Sequence, residues 1–280
     1  MMDPSGRKID VLVSEVGPRD GLQSINRTMP TEAKLHWIKA LAASGLREIE
    51  VGSFVSPRLL PQMVDCATLV REANKLDGLT VLALVPNLKG AQNAIAAATR
   101  KLTMPISASR AHSLNNIGKT PKEAIEEVRR VCAFRDSLPV EQRPDIAVGI
   151  STAFGCTLEG TVSEAWVIEM AGLLAKAGAD SIGLSDTTGY ANPAQIKRMF
   201  RRLRSEIGAK KMAGAHLHNT RGQGLANVVA ALEVDVTTFD SSLGGLGGCP
   251  YAPGATGNIV TEDLVFMLEA MGLRTGVDVD

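Results

Sequence analysis

Aromatic residues are scarce in this chain: two Trp, two Tyr and six Phe make up 4% of its 280 residues. Platforms that stack the bases of single-stranded nucleic acid need more rings than that. Net charge is missing too, because 30 Lys and Arg offset 30 Asp and Glu. With the charges balanced, nothing in the composition points to nucleic acid or an anionic membrane surface as the main partner, and neither is expected. No apolar run approaches the roughly eighteen residues of a membrane span. The polar opening from Met1 to Lys8 shows neither a signal-peptide pattern nor an import segment, and a cytoplasmic location is expected. Cysteine is sparse: Cys66, Cys132, Cys156 and Cys249 stand far apart, with no C-x-x-C pair. That spacing fits reduced thiols better than a disulfide framework or a structural zinc site.

What is present is a chain 45% hydrophobic and 21% charged, the composition of a soluble globular protein with a substantial core. Short apolar runs alternate with amphipathic stretches from end to end. Strands are predicted at 9–16, 46–51, 79–85, 101–106, 145–152, 179–184, 211–216 and 235–240. Helices are predicted at 31–44, 61–76, 89–98, 120–137, 162–177, 192–207, 222–232 and 261–271. Thr31 reads as an N-cap, Gly45 and Gly178 as helix stops, and Thr120-Pro121 as a helix start. Near-continuous apolar strands separated by helices argue a parallel sheet covered by helices. Eight βα units close a (β/α)8 TIM barrel, here as a single catalytic domain over 1–280. A doubly wound open sheet is the rival, but it stops at fewer strands and opens on a glycine-rich turn.

Such barrels keep their reactive groups at the C-terminal ends of the strands, and here those ends are polar. The first strand runs into Glu15, Arg19, Asp20 and Gln23; the second ends at Glu50, the sixth at Asp186 and the eighth at Asp240. The seventh leads into His216 and His218, two of only four histidines. On an extended strand, positions i and i+2 face the same way, about 7 Å apart along the chain. That suits two ligands of one metal ion. Alone, the pair reads as well as one core and one solvated histidine, and Asp20 or Asp186 as turn aspartates. An Asp, two His and a carboxamide such as Asn258 make a mixed oxygen and nitrogen set. It suits six-coordinate Mg²⁺ or Mn²⁺ with positions left open for substrate. After the eighth strand, four glycines within 244–248 precede Cys249 and Pro250. The loop lacks a G-K-[ST] ending and does not match G-x-G-x-x-G. Its glycines suit a mobile lid, with Cys249 as a catalytic acid or base upon it.

Five stretches carry a resemblance: Glu15-Val-Gly-Pro-Arg-Asp-Gly-Leu-Gln23, Ser53-Phe-Val-Ser-Pro57, Pro86-Asn-Leu-Lys-Gly90, His216-Leu-His218 and Gly245-Leu-Gly-Gly-Cys-Pro-Tyr-Ala-Pro-Gly254. With the segments around Asn258, Thr261 and Gly272 they span nearly the whole chain. The sequence resembles the 3-hydroxy-3-methylglutaryl-CoA lyases, within the metal-dependent TIM-barrel lyases that carry an Asp-Arg-Glu signature. The resemblance implies Asp20, His216, His218 and Asn258 as ligands of Mg²⁺ or Mn²⁺, and Arg19 as the cation that stabilises an enolate. It implies Cys249 as the catalytic loop thiol, and Glu50, Asp186 and Gln23 as polar groups around substrate and metal. It further implies an acyl-CoA substrate, cleaved to acetyl-CoA and a keto product, and a homodimer. The proton acceptor stays open between Asp186 and His216.

Two positions depart from the family pattern. Ser24-Ile25-Asn26 stands where the motif continues Asn-Glu-Lys, and Arg110 stands where bacterial relatives carry Glu. Both bear on the acyl group, with citramalyl-CoA as the alternative substrate. A metal-dependent hydrolase would carry its His pair on the first strand with a bridging Lys or a later His. A non-catalytic binding barrel would have no use for Arg19, Asp20, the His pair and Cys249 together.

Overall fold

Alternation along the strands sets the architecture. In the computed structural model, which describes residues 6–248 and 256–279, eight parallel strands pair in sequence order and β1 meets β8, closing a barrel. They are β1 (Leu12–Glu15), β2 (Glu48–Ser53), β3 (Thr80–Leu84), β4 (Lys101–Ser107), β5 (Asp145–Ser151), β6 (Ser181–Asp186), β7 (Met212–Leu217) and β8 (Thr238–Ser241). Around them lie α1 (Thr31–Ala43), α2 (Cys66–Ala73), α3 (Leu88–Ala96), α4 (Arg110–Ile117), α5 (Pro121–Asp136), α6 (Glu164–Ala177), α7 (Pro193–Ile207), α8 (Gly224–Leu232) and α9 (Thr261–Ala270). The expected TIM barrel is the fold.

The expected near-continuous apolar run is kept on β3, where Val81, Leu82, Ala83 and Leu84 are all buried, whereas β4 and β5 alternate. On β4, Leu102, Met104 and Ile106 are buried while Lys101, Thr103 and Pro105 between them are half-buried. On β5, Ile146, Val148 and Ile150 alternate in the same way with Ala147 and Gly149. Successive strand residues face opposite sides, so the apolar half meets the helices and the polar or small half faces into the barrel. Burying the outer half against the helices supplies the main core, at roughly 1.5–3 kcal/mol for each large side chain. On α7 the helices answer with Ile196, Met199, Phe200 and Leu203, spaced to share one helix face.

Local signals set the helix ends. Thr120 accepts from the Glu123 amide at 3.4 Å and Glu123 accepts from the Thr120 amide at 2.8 Å, a reciprocal cap for α5. Gly178 ends α6 in the left-handed region at φ +106°. Thr31 is not the N-cap expected of it. It is the first helical residue after Pro30, and its hydroxyl donates to Asp65 at 2.9 Å. The single helix expected at 61–76 is a 3-10 turn, Pro61–Met63, followed by α2. The short α4, capped by Ser109, was not expected at all.

Candidate functional site

The barrel mouth opens from the turn after β1. Gly17–Gly21 winds as one wide helical turn, with the amides of Arg19 and Asp20 both donating to the Val16 carbonyl at 3.1 and 2.7 Å. This turn places two adjacent charges at the end of the barrel. Arg19 Nη1 donates to Asp20 Oδ1 at 2.6 Å, and its Nε donates to Glu50 Oε2 at 2.5 Å. Gln23 Nε2 donates to the same Asp20 oxygen at 2.9 Å. Gly17 has no room for a side chain, since a Cβ there would lie 2.5 Å from Glu15 Oε1.

The two histidines converge as their spacing predicts. His216 lies on β7 and His218 just beyond its end, and their Nε2 atoms stand 3.2 Å apart. Ligand atoms of Asp20, His216 and His218 fall within 4.8 Å of one another. Asn258 arrives from the far side of the glycine loop, because its backbone bridges His218 and the Ile259 amide donates to the Leu217 carbonyl at 3.0 Å. Its Nδ2 donates to Asp20 Oδ2 at 2.7 Å and to the Leu246 carbonyl at 2.9 Å.

These residues fit a cation. Asn258 Oδ1 is a buried acceptor with no hydrogen-bond partner among the described residues, and such atoms are rare unless a ligand completes them. The two facing Nε2 atoms suit a shared cation: His216 turns its Nδ1 to Asp240 at 3.0 Å, which leaves its Nε2 for the site. Burial pushes the Asp20 carboxyl up, but the charges of Arg19, His216 and His218 outweigh it and hold that carboxyl below its ordinary range. Burial and then the neighbouring His216 lower His218 to about 4, which leaves its ring a neutral ligand. Burial lowers His216, but the hydrogen bond and charge of Asp240 reverse the sign and raise it. The backbone also makes room: a Cβ on Gly247 would lie 2.5 Å from Asn258 Nδ2 and 2.6 Å from Asp20 Oδ2.

A cavity of about 1170 Å³, open mouth included, runs from this cluster down into the barrel. Ala147, Gly149, Gly183 and Gly214 leave one wall without bulk, where barrels usually pack branched side chains. The charged groups on its lining are Asp20, Glu48, Glu50 and Asp240 against Arg19 and Lys101. Acidic groups outnumber basic ones on this lining, as a site for a cation requires. Burial pushes the Glu50 carboxyl up beyond what Arg19 and Thr103 restore.

Other expected residues fall elsewhere. Asp186 ends β6, but its Oδ1 accepts from the Tyr190 and Ala191 amides at 2.8 and 3.1 Å, holding the following turn. Ser185 and Thr187 on either side of it line the cavity. Burial raises Asp186 to about 6, and its Oδ2 is buried without a hydrogen-bond partner among the described residues. Cys249 lies outside the described residues, as does the part of the glycine loop that follows it. Asn26 and Arg110 are exposed, and neither is among the cavity's lining residues. Sequence reasoning set His112 aside, yet it lines the cavity with Nδ1 2.6 Å from Ser107 Oγ. It also passed over the Lys101–Glu48 pair, joined at 2.9 Å inside the barrel. The polar alternation of Lys101-Leu-Thr-Met-Pro was the signal for that interior.

Comparison with known proteins agrees with this geometry. Residues 10–280 match the family model described as HMGL-like. The hydroxymethylglutaryl-CoA lyase of Bacillus subtilis is 40% identical over 270 residues, covering 96% of this chain and 89% of that protein. The mitochondrial hydroxymethylglutaryl-CoA lyase of Gallus gallus is 42% identical, covering 96% and 88%. Among solved structures, an HMG-CoA lyase from Acinetobacter baumannii in complex with coenzyme A and 3-methylmalate superposes with a TM-score of 0.90. It is 40% identical, covering 96% of this chain and 87% of that one.

Proposed function

The chain belongs to the HMGL-like family, and from that membership and its site we propose that it is a carbon–carbon lyase cleaving 3-hydroxy-3-methylglutaryl-CoA to acetyl-CoA and acetoacetate. The observation that carries this reading is the meeting of Asp20, His216 and His218 with the Arg19–Glu50 pair in one cavity at the barrel mouth. The A. baumannii relative is named as holding coenzyme A, which supports an acyl-CoA as the ligand of that cavity.

In this reading Asp20, His216, His218 and Asn258 Oδ1 hold Mg²⁺ or Mn²⁺. When bound, the ion acidifies the tertiary hydroxyl of the substrate and polarises its carbonyl. The hydroxyl proton passes to a carboxylate of raised proton affinity on the cavity wall, Glu50; Asp186, at the end of β6 outside the cavity lining, is the alternative. Loss of that proton lets the carbon–carbon bond break, leaving a ketone and the enolate of acetyl-CoA. Arg19, pinned from two sides by Glu50 and Asp20, keeps its positive charge fixed for the enolate oxygen. Gln23 steadies Asp20. A proton then reaches the enolate carbon from Cys249, the role the family resemblance gives that thiol. Closure of the glycine loop keeps water from the enolate.

Related acyl-CoAs such as citramalyl-CoA were the alternative because of Asn26 and Arg110. The exposure of both residues away from the cavity lining favours the 3-hydroxy-3-methylglutaryl ester. A homodimer and a cytoplasmic setting complete the reading; light scattering at twice the chain mass tests the first. The test of the substrate is direct. Purified protein is given 3-hydroxy-3-methylglutaryl-CoA and citramalyl-CoA in parallel with Mn²⁺, and acetyl-CoA is followed. Turnover of the first at roughly 1–10³ s⁻¹, with acetoacetate formed in equal amount, is expected. Turnover of citramalyl-CoA alone would move the substrate and keep the chemistry.

A further inference from the structure

Asp240 lies in the cavity wall beside the cation site without belonging to the ligand group. β7 and β8 run parallel with His216 opposite Asp240, so the two side chains leave neighbouring strands on the same inward face, about 5 Å apart. Asp240 Oδ2 stands 3.0 Å from His216 Nδ1. An ionised carboxylate can only accept a hydrogen bond, so the ring proton sits on Nδ1 and Nε2 keeps its lone pair. That bare Nε2 is the atom 3.2 Å from His218 Nε2 and grouped with Asp20. Without an acceptor on this side, the ring is free to place its proton on Nε2, where an N–H would meet the cation instead of a lone pair. Arg19 and Lys101 stand within electrostatic reach of Asp240 across the cavity.

We propose that Asp240 is a positioning residue of the cation site: it locks His216 in the Nδ1–H tautomer and so aims Nε2 at the ion. The inference rests on the reading of Asp20, His216 and His218 as a cation site. Partners of this kind behind metal-bound histidines typically change metal affinity 10–100-fold when removed.

Two readouts on the purified full chain test it. The first is Mn²⁺ alone, titrated calorimetrically into metal-free wild type, Asp240→Ala, Asp240→Asn and Asp20→Ala. Asp240→Ala is expected to bind Mn²⁺ about 10–100-fold more weakly than wild type. Asp240→Asn keeps an acceptor oxygen for Nδ1–H and is expected to lose less. The second is the ring-nitrogen NMR signature of His216 in metal-free protein, assigned by its loss in His216→Gln. Wild type and Asp240→Asn should show a protonated Nδ1, and Asp240→Ala a mixture of tautomers. A merely structural role would leave that signature unmoved. Wild-type affinity in Asp240→Ala, beside lost binding in Asp20→Ala, overturns the role of Asp240 and leaves the cation site standing. Absence of Mn²⁺ binding in wild type sinks the cation site itself, and the tautomer measurement still judges Asp240. If Asp240→Ala fails to fold, Asp240→Asn decides by the same two readouts: a protonated Nε2 in it, or in wild type, overturns the proposal.

Discussion

At the scale of single residues the site is a contest between burial and charge. Asp20 sits among three positive or ionisable partners and stays ionised, while Glu50 has one guanidinium and a hydroxyl and is pushed the other way. Asp186 has only two backbone amides to set against burial, which lifts it to about 6. A base must be deprotonated to act, so activity governed by Asp186 rises with pH through about 6 and levels above it. Asp186→Asn should therefore remove the acidic limb of the kcat/KM profile together with most of the rate. An unchanged limb near pH 6 in that variant would assign the proton to Glu50. Sequence put Asp20, the two histidines, Arg19 and Glu50 at the strand ends, where reactive groups of such barrels gather, and the structure brings them to one cavity; their roles are what the family resemblance implies. It could not identify Asp240 as the partner of His216, since 24 residues separate them and only strand register makes them neighbours. It could not see Asp186 turn back onto its own loop, since side-chain direction at a strand end depends on the turn that follows.

At the scale of elements, three segments that carry the site are tied by one buried carboxylate. Glu15 Oε1 accepts from the amides of Gly17 and Leu243 at 2.9 and 3.2 Å, and its Oε2 accepts from the Thr261 hydroxyl at 2.6 Å. It thereby joins the turn that presents Arg19 and Asp20, the start of the glycine loop, and the helix that follows Asn258. Burial raises its pKa from an ordinary 4.5 to about 7, against these hydrogen bonds. The folded state then holds a proton that the unfolded chain gives up between those values. Stability contributed by this group is complete below about 4.5 and is lost as pH rises through 7. The loss is of the order of 3 kcal/mol. Urea unfolding of metal-free protein between pH 5 and 8 should show that decline, and Glu15→Gln should flatten it. A variant with the wild-type slope would contradict the account. The helix ends show how far local signals reach. The Thr120 start and the Gly178 stop were legible because each works within one turn. Thr31 was misread because its hydroxyl finds a better acceptor in Asp65, 34 positions away.

At the scale of the whole molecule, the barrel is turned partly inside out. Its apolar residues pack outward against helices, while the interior is small on β5 and β6 and charged on β2 and β4. The count of eight βα units was readable from period alone, but the hollow interior was not, since an apolar run does not say what fills the space its inner face looks onto. If the hollow is the reaction chamber, filling it should cost activity and spare the fold. Gly149→Val suits this test: a Cβ there meets only the Ser185 hydroxyl, at 3.4 Å, and Val favours strands. Turnover should drop at least about tenfold with the unfolding transition unchanged or raised; full activity would mean that substrate never enters this part of the barrel. Cation-dependent carbon–carbon cleavage at Asp20, His216 and His218 is the proposed activity of the molecule as a whole. The most direct measurement follows acetyl-CoA release from 3-hydroxy-3-methylglutaryl-CoA by protein stripped with a chelator, then given Mn²⁺, with His218→Ala beside it. Silence after stripping, recovery on adding Mn²⁺ and no recovery in His218→Ala are expected. Undiminished release from the stripped protein, or from His218→Ala, would contradict it.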